Sequence, residues 1–453
     1  MAGRKQIVLA GAIGNIVEWY DFGLYGLLAP TLASLFFPPQ NHMAALLNVY
    51  GGFAVGFGMR PIGAIVLGRI GDRRGRQFVL VLSVVLMGAA TLMLGLLPTY
   101  RFVGIWAAFL LIAIRLLQGF SVGGEFVGSV TYLVETAPEG RRGISGSVAN
   151  LGATVGMLLA GAAAALAQAD ATRFWRYPFL FGGFLAFIGY MLRRHLPPEE
   201  QQIENAAGQK SADRVAQERP ASQAFVSRWP VLQAFREIPR TMVIAMLFTC
   251  GYGISNYLTM VFLPAFAHEF SSIDQGKALW INTAAQGLIL LVVPLAGWTS
   301  DHWIRRRTLA SSAFLLQAAL AWLLFRGVLH DGVAGLWPAQ LLLAALLAVV
   351  MGTAPALLSE QFRPEYRVSG HSLVLNVGIG IAGGTSPMVA LALIHSTGSK
   401  LAAAAYLTMG CAISGFSALL LQDSSRRRQQ DREMAGDSEL DAETPASSSL
   451  KSA

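Results

Sequence analysis

The chain has 453 residues, of which 54% are hydrophobic and only 13% are charged. Soluble domains carry about 25% charged residues, so the composition excludes an ordinary soluble enzyme and indicates a membrane protein. The formal net charge of +8 is spread over many loops and forms no basic patch interleaved with aromatic residues, which argues against a nucleic-acid partner. The two cysteines, Cys250 and Cys411, stand in separate apolar runs and predict neither a disulfide nor a metal site, and no cofactor is expected.

Twelve apolar stretches are long enough to cross a bilayer, which takes about 20 helical residues. In chain order they are 7–37, 44–68, 78–98, 103–134, 145–168, 177–193, 241–266, 277–298, 308–328, 337–359, 371–394 and 401–421. The polar, proline-containing segment 194–240 is interpreted as a cytoplasmic linker between two six-helix bundles, 1–193 and 241–421. The polar tail 422–453 shows no sustained heptad and is expected to be disordered.

The distribution of arginine and lysine sets the orientation of these helices. If the N-terminus is cytoplasmic, the inner connections contain clusters of arginine, whereas the outer connections contain single basic residues. The inner clusters are Arg69, Arg73, Arg74, Arg76, Arg141, Arg142, Arg305, Arg306, Arg307, Arg363 and Arg367, with Arg426, Arg427 and Arg428 in the tail. The positive-inside rule therefore places both termini in the cytoplasm.

The two predicted halves repeat each other. GRIGDRRGRQ after the second helix is matched by GWTSDHWIRRR after the eighth. A glutamate followed seven residues later by an arginine comes after both the fourth and the tenth helix, as Glu135 and Arg142 and as Glu360 and Arg367. Paired repeats with a site between them are typical of secondary transporters.

These motifs carry a resemblance to known families. GRIGDRRGRQ resembles the signature loop of the major facilitator superfamily, Gly-x-x-x-Asp-Arg-x-Gly-Arg-Arg/Lys, from which Gln77 departs at the last basic position. GNIVEWYDFGLYG, FGMRPIGA, RLLQGFSVGGEF, WRYPF and SEQFRPEYRVSG together resemble the metabolite:proton symporter family, which includes the α-ketoglutarate permease and the proline/betaine transporter. The resemblance implies an all-α membrane protein with the major facilitator fold, twelve transmembrane helices in two pseudo-symmetric bundles, and import of a small polar metabolite coupled to protons.

Two acids stand inside the first predicted helix, where a charge at mid-bilayer costs roughly 2.5–3.5 kcal/mol. Glu18 and Asp21 are three residues apart and share a helix face, and Tyr25 is placed to hydrogen-bond Asp21. Glu125 is a third acid, in the fourth predicted helix. We expect Asp21, Glu18 and Glu125 to take part in proton coupling, and the alternative is that they form fixed ion pairs.

Internal arginines and polar residues supply candidates for solute binding. Arg60 and Arg115 lie inside apolar helices, and the planar guanidinium suits a carboxylate. We expect Arg115 and Arg60, with Tyr25, Tyr252 and Asn256, to contact the solute, which favours an organic anion. The alternative is a closed network in which both arginines pair with Glu18, Asp21 and Glu125.

The superfamily resemblance also implies a gate of ion pairs that hold the inner face shut and break when it opens. Its candidate residues are Asp72, Arg73, Gly75, Arg76, Glu135, Arg142, Asp301, Arg305, Glu360 and Arg367. The alternative is a set of ordinary surface pairs, each contributing about 0–1 kcal/mol.

The sequence therefore predicts a proton-coupled symporter that imports a small organic acid across the bacterial inner membrane by alternating access. Its partners would be the solute, protons and the lipid bilayer, and we expect a monomer. A symporter of a zwitterionic osmolyte such as proline or betaine is the alternative. A drug-efflux antiporter is disfavoured because the fifth helix lacks a late Gly-Pro kink. An enzyme is disfavoured because the seven histidines are scattered and form no catalytic or metal-binding set.

Overall fold

The described part of the chain is helical. A computed structural model describes residues 2–74, 76–122, 134, 137, 140–194, 230–363 and 367–423, and these residues contain no strand. The first half holds α1 (Ala2–Leu27), α2 (Ala29–Phe36), α3 (His42–Gly58), α4 (Arg60–Arg74), α5 (Arg76–Leu96), α6 (Tyr100–Val103), α7 (Trp106–Ser121), α8 (Arg142–Ala167), α9 (Ala171–Phe174) and α10 (Arg176–Arg194). The second half holds α11 (Pro230–Glu237), α12 (Pro239–Tyr257), α13 (Leu263–Ser271), α14 (Gln275–His302), α15 (Arg306–Asp331), α16 (Val333–Ser359), α17 (Arg367–Leu375), α18 (Gly384–Thr397) and α19 (Ala402–Leu420).

Nine helical stretches of the described chain are long and apolar enough to cross a bilayer. Each coincides with one of the twelve predicted spans. Of the other three predicted spans, 7–37 contains most of α1 and all of α2, 103–134 contains α7, and 177–193 falls in α10. The all-helical membrane fold is thus confirmed, and the expected twelve spans are consistent with it. Most of the predicted linker and tail lies outside the described residues, so the domain boundaries stay predictions.

Polar residues and glycines set the ends of several helices. The Asn41 side chain accepts a hydrogen bond from the Ala44 amide at 2.9 Å and caps α3. Asp274 caps α14 in the same way, through the Lys277 amide at 3.0 Å. Gly332, between α15 and α16, has a φ of +58°, a backbone conformation that side chains rarely permit. These caps keep the connections short at the ends of the bundle.

The two halves meet along α8, which packs against α14 and α16. Two glycines make this contact close. A Cβ atom on Gly143 would lie 2.5 Å from the Gly297 carbonyl oxygen, and one on Gly297 would lie 2.8 Å from the Gly143 carbonyl oxygen. Small residues at such crossings let membrane helices pack backbone to backbone. A second contact between the halves joins α3 to α18.

Two π-helical segments interrupt the long helices of the second half. Leu258–Phe262 joins α12 to α13, and Asn376–Gly383 joins α17 to α18. The second segment packs closely against α12, since a Cβ atom on Gly253 would lie 2.7 Å from the Gly378 carbonyl oxygen. Segments of this kind occur frequently at functional sites. Here they place irregular backbone beside the interface between the halves.

Candidate functional site

A small cavity lies between the two halves at the centre of the bundle. Its volume is about 30 Å³, the space of about one water molecule, so no organic solute fits in this closed conformation. The polar and aromatic side chains that line it are Trp19, Asn150, Thr154, Tyr252, Asn256 and Gln286. Within the described residues, no charged side chain lines the cavity. The predicted solute contacts Tyr252 and Asn256 thus face the central space.

Asp21 lies buried inside the first half, where α1 faces Thr91 of α5 and Arg115 and Gln118 of α7. Its side chain is 1% exposed and accepts hydrogen bonds from the Thr91 hydroxyl at 2.7 Å and the Gln118 amide at 2.6 Å. The Arg115 guanidinium also donates to Asp21, but at 3.4 Å. Charge-assisted bonds between nitrogen and oxygen are usually about 2.7–2.9 Å long. The closest partners of this acid are therefore neutral.

Gln118 connects the acid to the arginine. Its Oε1 accepts a hydrogen bond from Arg115 at 2.7 Å while its Nε2 donates to Asp21 at 2.6 Å. Gln118 and Arg115 are three residues apart on α7 and thus share a helix face. Gln118 and Thr91 were not among the residues predicted from the sequence. The motif RLLQGF carries the available signal, because a glutamine one turn from an internal arginine is placed to bond it.

A second ion pair lies one turn away on α1. Arg60 Nη2 donates to Glu18 Oε1 at 2.9 Å, with the two side chains 11% and 9% exposed. The Phe22 ring separates the two pairs, with the Arg60 guanidinium 4.6 Å and the Arg115 guanidinium 4.8 Å from its centre. Cations over aromatic faces are stabilised by the ring quadrupole. Each arginine thus contacts one acid and at least one aromatic ring, and Arg115 also donates to Gln118.

The structure places the predicted solute-binding residues in two groups. Tyr252 and Asn256 line the central cavity, whereas Arg60 and Arg115 are engaged by Glu18 and Asp21. For Glu18 and Asp21, this pairing matches the closed network of ion pairs that was the alternative to solute binding. Glu125, the third acid predicted for proton coupling, lies outside the described residues.

The expected hydrogen bond between Tyr25 and Asp21 is wrong. The Tyr25 hydroxyl donates to the Val49 carbonyl oxygen at 3.0 Å instead. The Tyr25 ring lies under the Arg115 guanidinium at 4.2 Å. Asp21 already accepts from Thr91, Gln118 and Arg115. Tyr25 therefore acts on this network through its ring face.

At the inner end of the bundle, Asp301 of α14 joins the second half to the first. Its two carboxylate oxygens accept hydrogen bonds from the backbone amides of Gly143 at 2.8 Å and Ile144 at 2.9 Å. These amides belong to the first turn of α8, where the N–H groups have no partner within the helix and the helix dipole favours a negative charge. One buried carboxylate thus links the two halves.

Arg306 holds Asp301 together with Glu360. It donates to Asp301 at 2.7 Å and to Glu360 at 2.5 Å, and the three side chains are at most 7% exposed. We call Asp301, Arg306, Glu360 and the first turn of α8 the inner latch. The predicted participation of Arg305 is wrong, because Arg305 precedes the first turn of α15 and is exposed, whereas the next residue points into the cluster.

Of the other predicted gating residues, Arg142 belongs to the first turn of α8, which is part of the latch. Arg367 donates through Nε to the Phe362 carbonyl oxygen at 3.0 Å. Arg73 is exposed, and Arg142 is half-buried at the start of α8. Gly75 and Glu135, and the side chains of Asp72 and Arg76, lie outside the described residues. Their gating roles stay predictions.

Comparison with known proteins identifies the family. The sequence matches the family model of the Major Facilitator Superfamily over residues 11–387 and 245–451. The chain belongs to this superfamily. The resemblance of its signature loop is thereby confirmed. Within the superfamily, the chain is 30% identical over 439 residues to the ectoine/proline transporter ProP of Corynebacterium glutamicum, covering 93% of this chain and 85% of that protein. It is 31% identical over 454 residues to the shikimate transporter of Escherichia coli, covering 94% and 96%.

Solved structures of the superfamily share the fold. A D-xylose-proton symporter superposes with a TM-score of 0.71 at 20% identity, covering 92% of this chain and 97% of that one. An inward-open structure of the xylose transporter XylE from E. coli gives a TM-score of 0.67 at 17% identity, covering 92% and 96%. With the membrane-spanning helices, these findings make the chain an integral protein of the bacterial inner membrane and a transporter, not an enzyme.

Proposed function

We propose that this superfamily member is a proton-coupled symporter that imports a small organic solute by alternating access. The observation that carries the proposal is Asp21, an acid buried inside a membrane helix and contacted by Thr91, Gln118 and Arg115. Acids inside a membrane bundle commonly mark proton or ion pathways. One chain supplies the whole cavity, so we further propose that the protein acts as a monomer in the bilayer.

The surroundings of Asp21 suit a group that gains and loses a proton. When Asp21 is ionised, three donors contact it and Arg115 supplies the opposite charge. When Asp21 binds a proton, Arg115 keeps its hydrogen bond to Gln118 and its contact with the Tyr25 ring. Protonation removes the counter-charge of Arg115, and the Gln118 hydrogen bond and the Tyr25 ring lower the cost of that state without cancelling it. Glu18, paired with Arg60, is the second candidate for the proton site.

The lining of the cavity favours a zwitterionic solute. A lone carboxylate would enter a space whose described lining carries no positive side chain, and burying an uncompensated charge is costly. A zwitterion brings both charges and needs only hydrogen-bonding groups to orient it. Tyr252, Asn256, Asn150 and Gln286 supply hydroxyl and amide groups for this purpose. The relative from C. glutamicum, a transporter of ectoine and proline, supports this choice.

An organic acid is the second candidate solute. The E. coli relative transports shikimate and matches nearly the full length of this chain. An anion would then require Arg60 or Arg115 to exchange its acid for the solute carboxylate when the cavity expands. Of the two, Arg60 is better placed, because its side chain is 11% exposed and that of Arg115 is fully buried.

The inner latch supplies the conformational step. Asp301 and the first turn of α8 belong to different halves, so their hydrogen bonds break when the inner side opens. Arg306 and Glu360 stay with Asp301 in the second half and keep that carboxylate positioned for closure. Alternating access then consists of rocking the halves about the central cavity while this contact forms and breaks.

Uptake into proteoliposomes tests the function. The purified chain is reconstituted, and accumulation of labelled proline, betaine, ectoine, shikimate and a dicarboxylate is measured with an inward proton gradient, with and without a protonophore. Accumulation that requires the gradient and collapses with the protonophore is expected for at least one of these solutes. Accumulation of proline or betaine but not shikimate would support the zwitterion. Gradient-independent equilibration of every solute would contradict proton coupling.

A further inference from the structure

A second, larger cavity opens at the outer face, between the same two halves. Its volume is about 240 Å³, the space of about eight water molecules, which matches the heavy-atom count of a small amino acid such as proline. Its lining comes from the outer connections and the adjoining helix ends. The polar residues that line it are Thr31, Ser34, His42, Thr172, His268, Glu269 and Gln275. We call this space the outer pocket.

A histidine and a glutamate meet across the outer pocket. His42 Nε2, at the start of α3, lies 3.1 and 3.0 Å from the two carboxylate oxygens of Glu269 in α13. An ionised carboxylate only accepts hydrogen bonds, so Nε2 carries the proton in this contact. The His42 side chain is 51% exposed and that of Glu269 is 14% exposed. This contact joins the two halves, so it has to break when the outer side opens.

The pocket also contains a buried donor without a partner. Gln275 is 8% exposed, and its Oε1 accepts a 3.4 Å hydrogen bond from the Thr31 hydroxyl. Its Nε2 is buried and has no hydrogen-bond partner in the described structure. A buried donor in this state has lost its hydrogen bonds to water without gaining a replacement, which is costly. An acceptor bound in the pocket would remove that cost.

We propose that the outer pocket is a second binding site for the transported zwitterion, which takes the solute before the outer side opens. The solute carboxylate accepts from His42 and Gln275, and its ammonium group faces Glu269. The inference rests on the proposed zwitterion transport. Solute binding replaces the contact between His42 and Glu269 without leaving the acid unpaired, whereas simple separation would remove its partner. Occupation of the pocket therefore favours release of the outer contact between the halves.

Cysteine protection tests binding at this pocket without requiring transport. Ser34 is exposed and lines the pocket, so Ser34→Cys is introduced into a full-length Cys250→Ser background, where Cys411 is buried. The rate of labelling by a membrane-impermeant maleimide is measured from the outside with L-proline as the probe. L-Proline at ten times its dissociation constant is expected to slow labelling about tenfold. Ser396→Cys, exposed at the outer end of α18 and outside the pocket, is the matched control and should be unaffected.

Further variants separate this site from the central cavity. Protection should persist with Asn256→Leu, which alters the central cavity, and disappear with His42→Gln or Gln275→Leu. His395→Gln, at an exposed outer position, should leave protection intact. Loss of protection with Asn256→Leu would assign the effect to the central cavity and overturn the proposal. Equal protection by acetate would contradict a zwitterion site, and an unchanged labelling rate with L-proline would exclude the site.

The two proposals fail in different ways. Absence of proton-driven uptake in the solute panel contradicts the proposed function, whatever the labelling result. Proton-driven uptake of proline without protection of Ser34→Cys leaves the function intact and overturns the outer pocket as a solute site.

Discussion

Removal of the Asp301 carboxylate is expected to shift the protein toward its inward-open state. Asp301→Ala removes two hydrogen bonds that join the halves, those from Gly143 and Ile144. A hydrogen bond to a charged group contributes about 1.5–3 kcal/mol, so at the lower end the two bonds stabilise the inner-closed state by about 3 kcal/mol. This corresponds to a shift of about 150-fold in the conformational equilibrium, at 1.36 kcal/mol for each factor of ten. Arg306 retains Glu360 as a partner, so no charge is stranded.

The shift can be measured from the cytoplasmic side. Ser147 is buried against Gly297 at the interface of the halves, so a cysteine at this position becomes accessible only when the inner side opens. The rate of maleimide labelling of Ser147→Cys in inside-out vesicles should rise by up to two orders of magnitude with Asp301→Ala. Asp274→Ala is the matched control, because Asp274 also caps a helix but through an amide of its own helix. An unchanged rate with Asp301→Ala, or an equal rise with Asp274→Ala, would refute the latch.

Three further changes follow from the site and its packing. Gln118→Leu removes the hydrogen bonds that connect Asp21 to Arg115. Proton-driven uptake should fall at least tenfold while exchange of labelled solute persists. Loss of both uptake and exchange in a folded protein would show that Gln118 has a general structural role. Asn256→Ala should raise the KM for uptake by about two- to tenfold, since one hydrogen bond contributes about 0.5–1.5 kcal/mol, and an unchanged KM would remove Asn256 from the solute site. Gly253→Ala places a Cβ atom 2.7 Å from the Gly378 carbonyl oxygen. The crowding should destabilise the protein by about 1–3 kcal/mol, which is measured as a lower Tm in detergent. An unchanged Tm would mean that the π-helical segment Asn376–Gly383 moves aside at no cost.

The sequence was sufficient to predict the helices and the nature of the buried charges. Long apolar stretches must form helices in lipid, because each backbone polar group needs a partner within the chain. An acid inside such a helix commonly pairs with another charge, so the sequence offered pairing of Glu18 and Asp21 with Arg60 and Arg115 as an alternative to solute binding. Which acid pairs with which arginine depends on helix rotation and was not predictable.

The neutral partners and the cavity were beyond sequence reasoning. Thr91 and Gln118 resemble the many polar residues that bond their own helix, and only the folded bundle brings them to Asp21. The latch contains Arg306 and not the predicted Arg305. This difference of one residue depends on where α15 begins. The uncharged lining of the central cavity, which moved the favoured solute from an organic acid to a zwitterion, depends on which side chains the two halves present to each other.

Proton coupling at Asp21 is the central claim, and Asp21→Asn tests it most directly. The variant keeps the size of the side chain and its hydrogen bond from Thr91 but can no longer exchange a proton. Reconstituted Asp21→Asn protein should exchange labelled solute across the membrane at a rate similar to that of the wild type, yet fail to accumulate it against a gradient when protons are supplied outside. Asp170→Asn, at an exposed helix cap, should accumulate solute normally. Full proton-driven accumulation by Asp21→Asn would contradict the account.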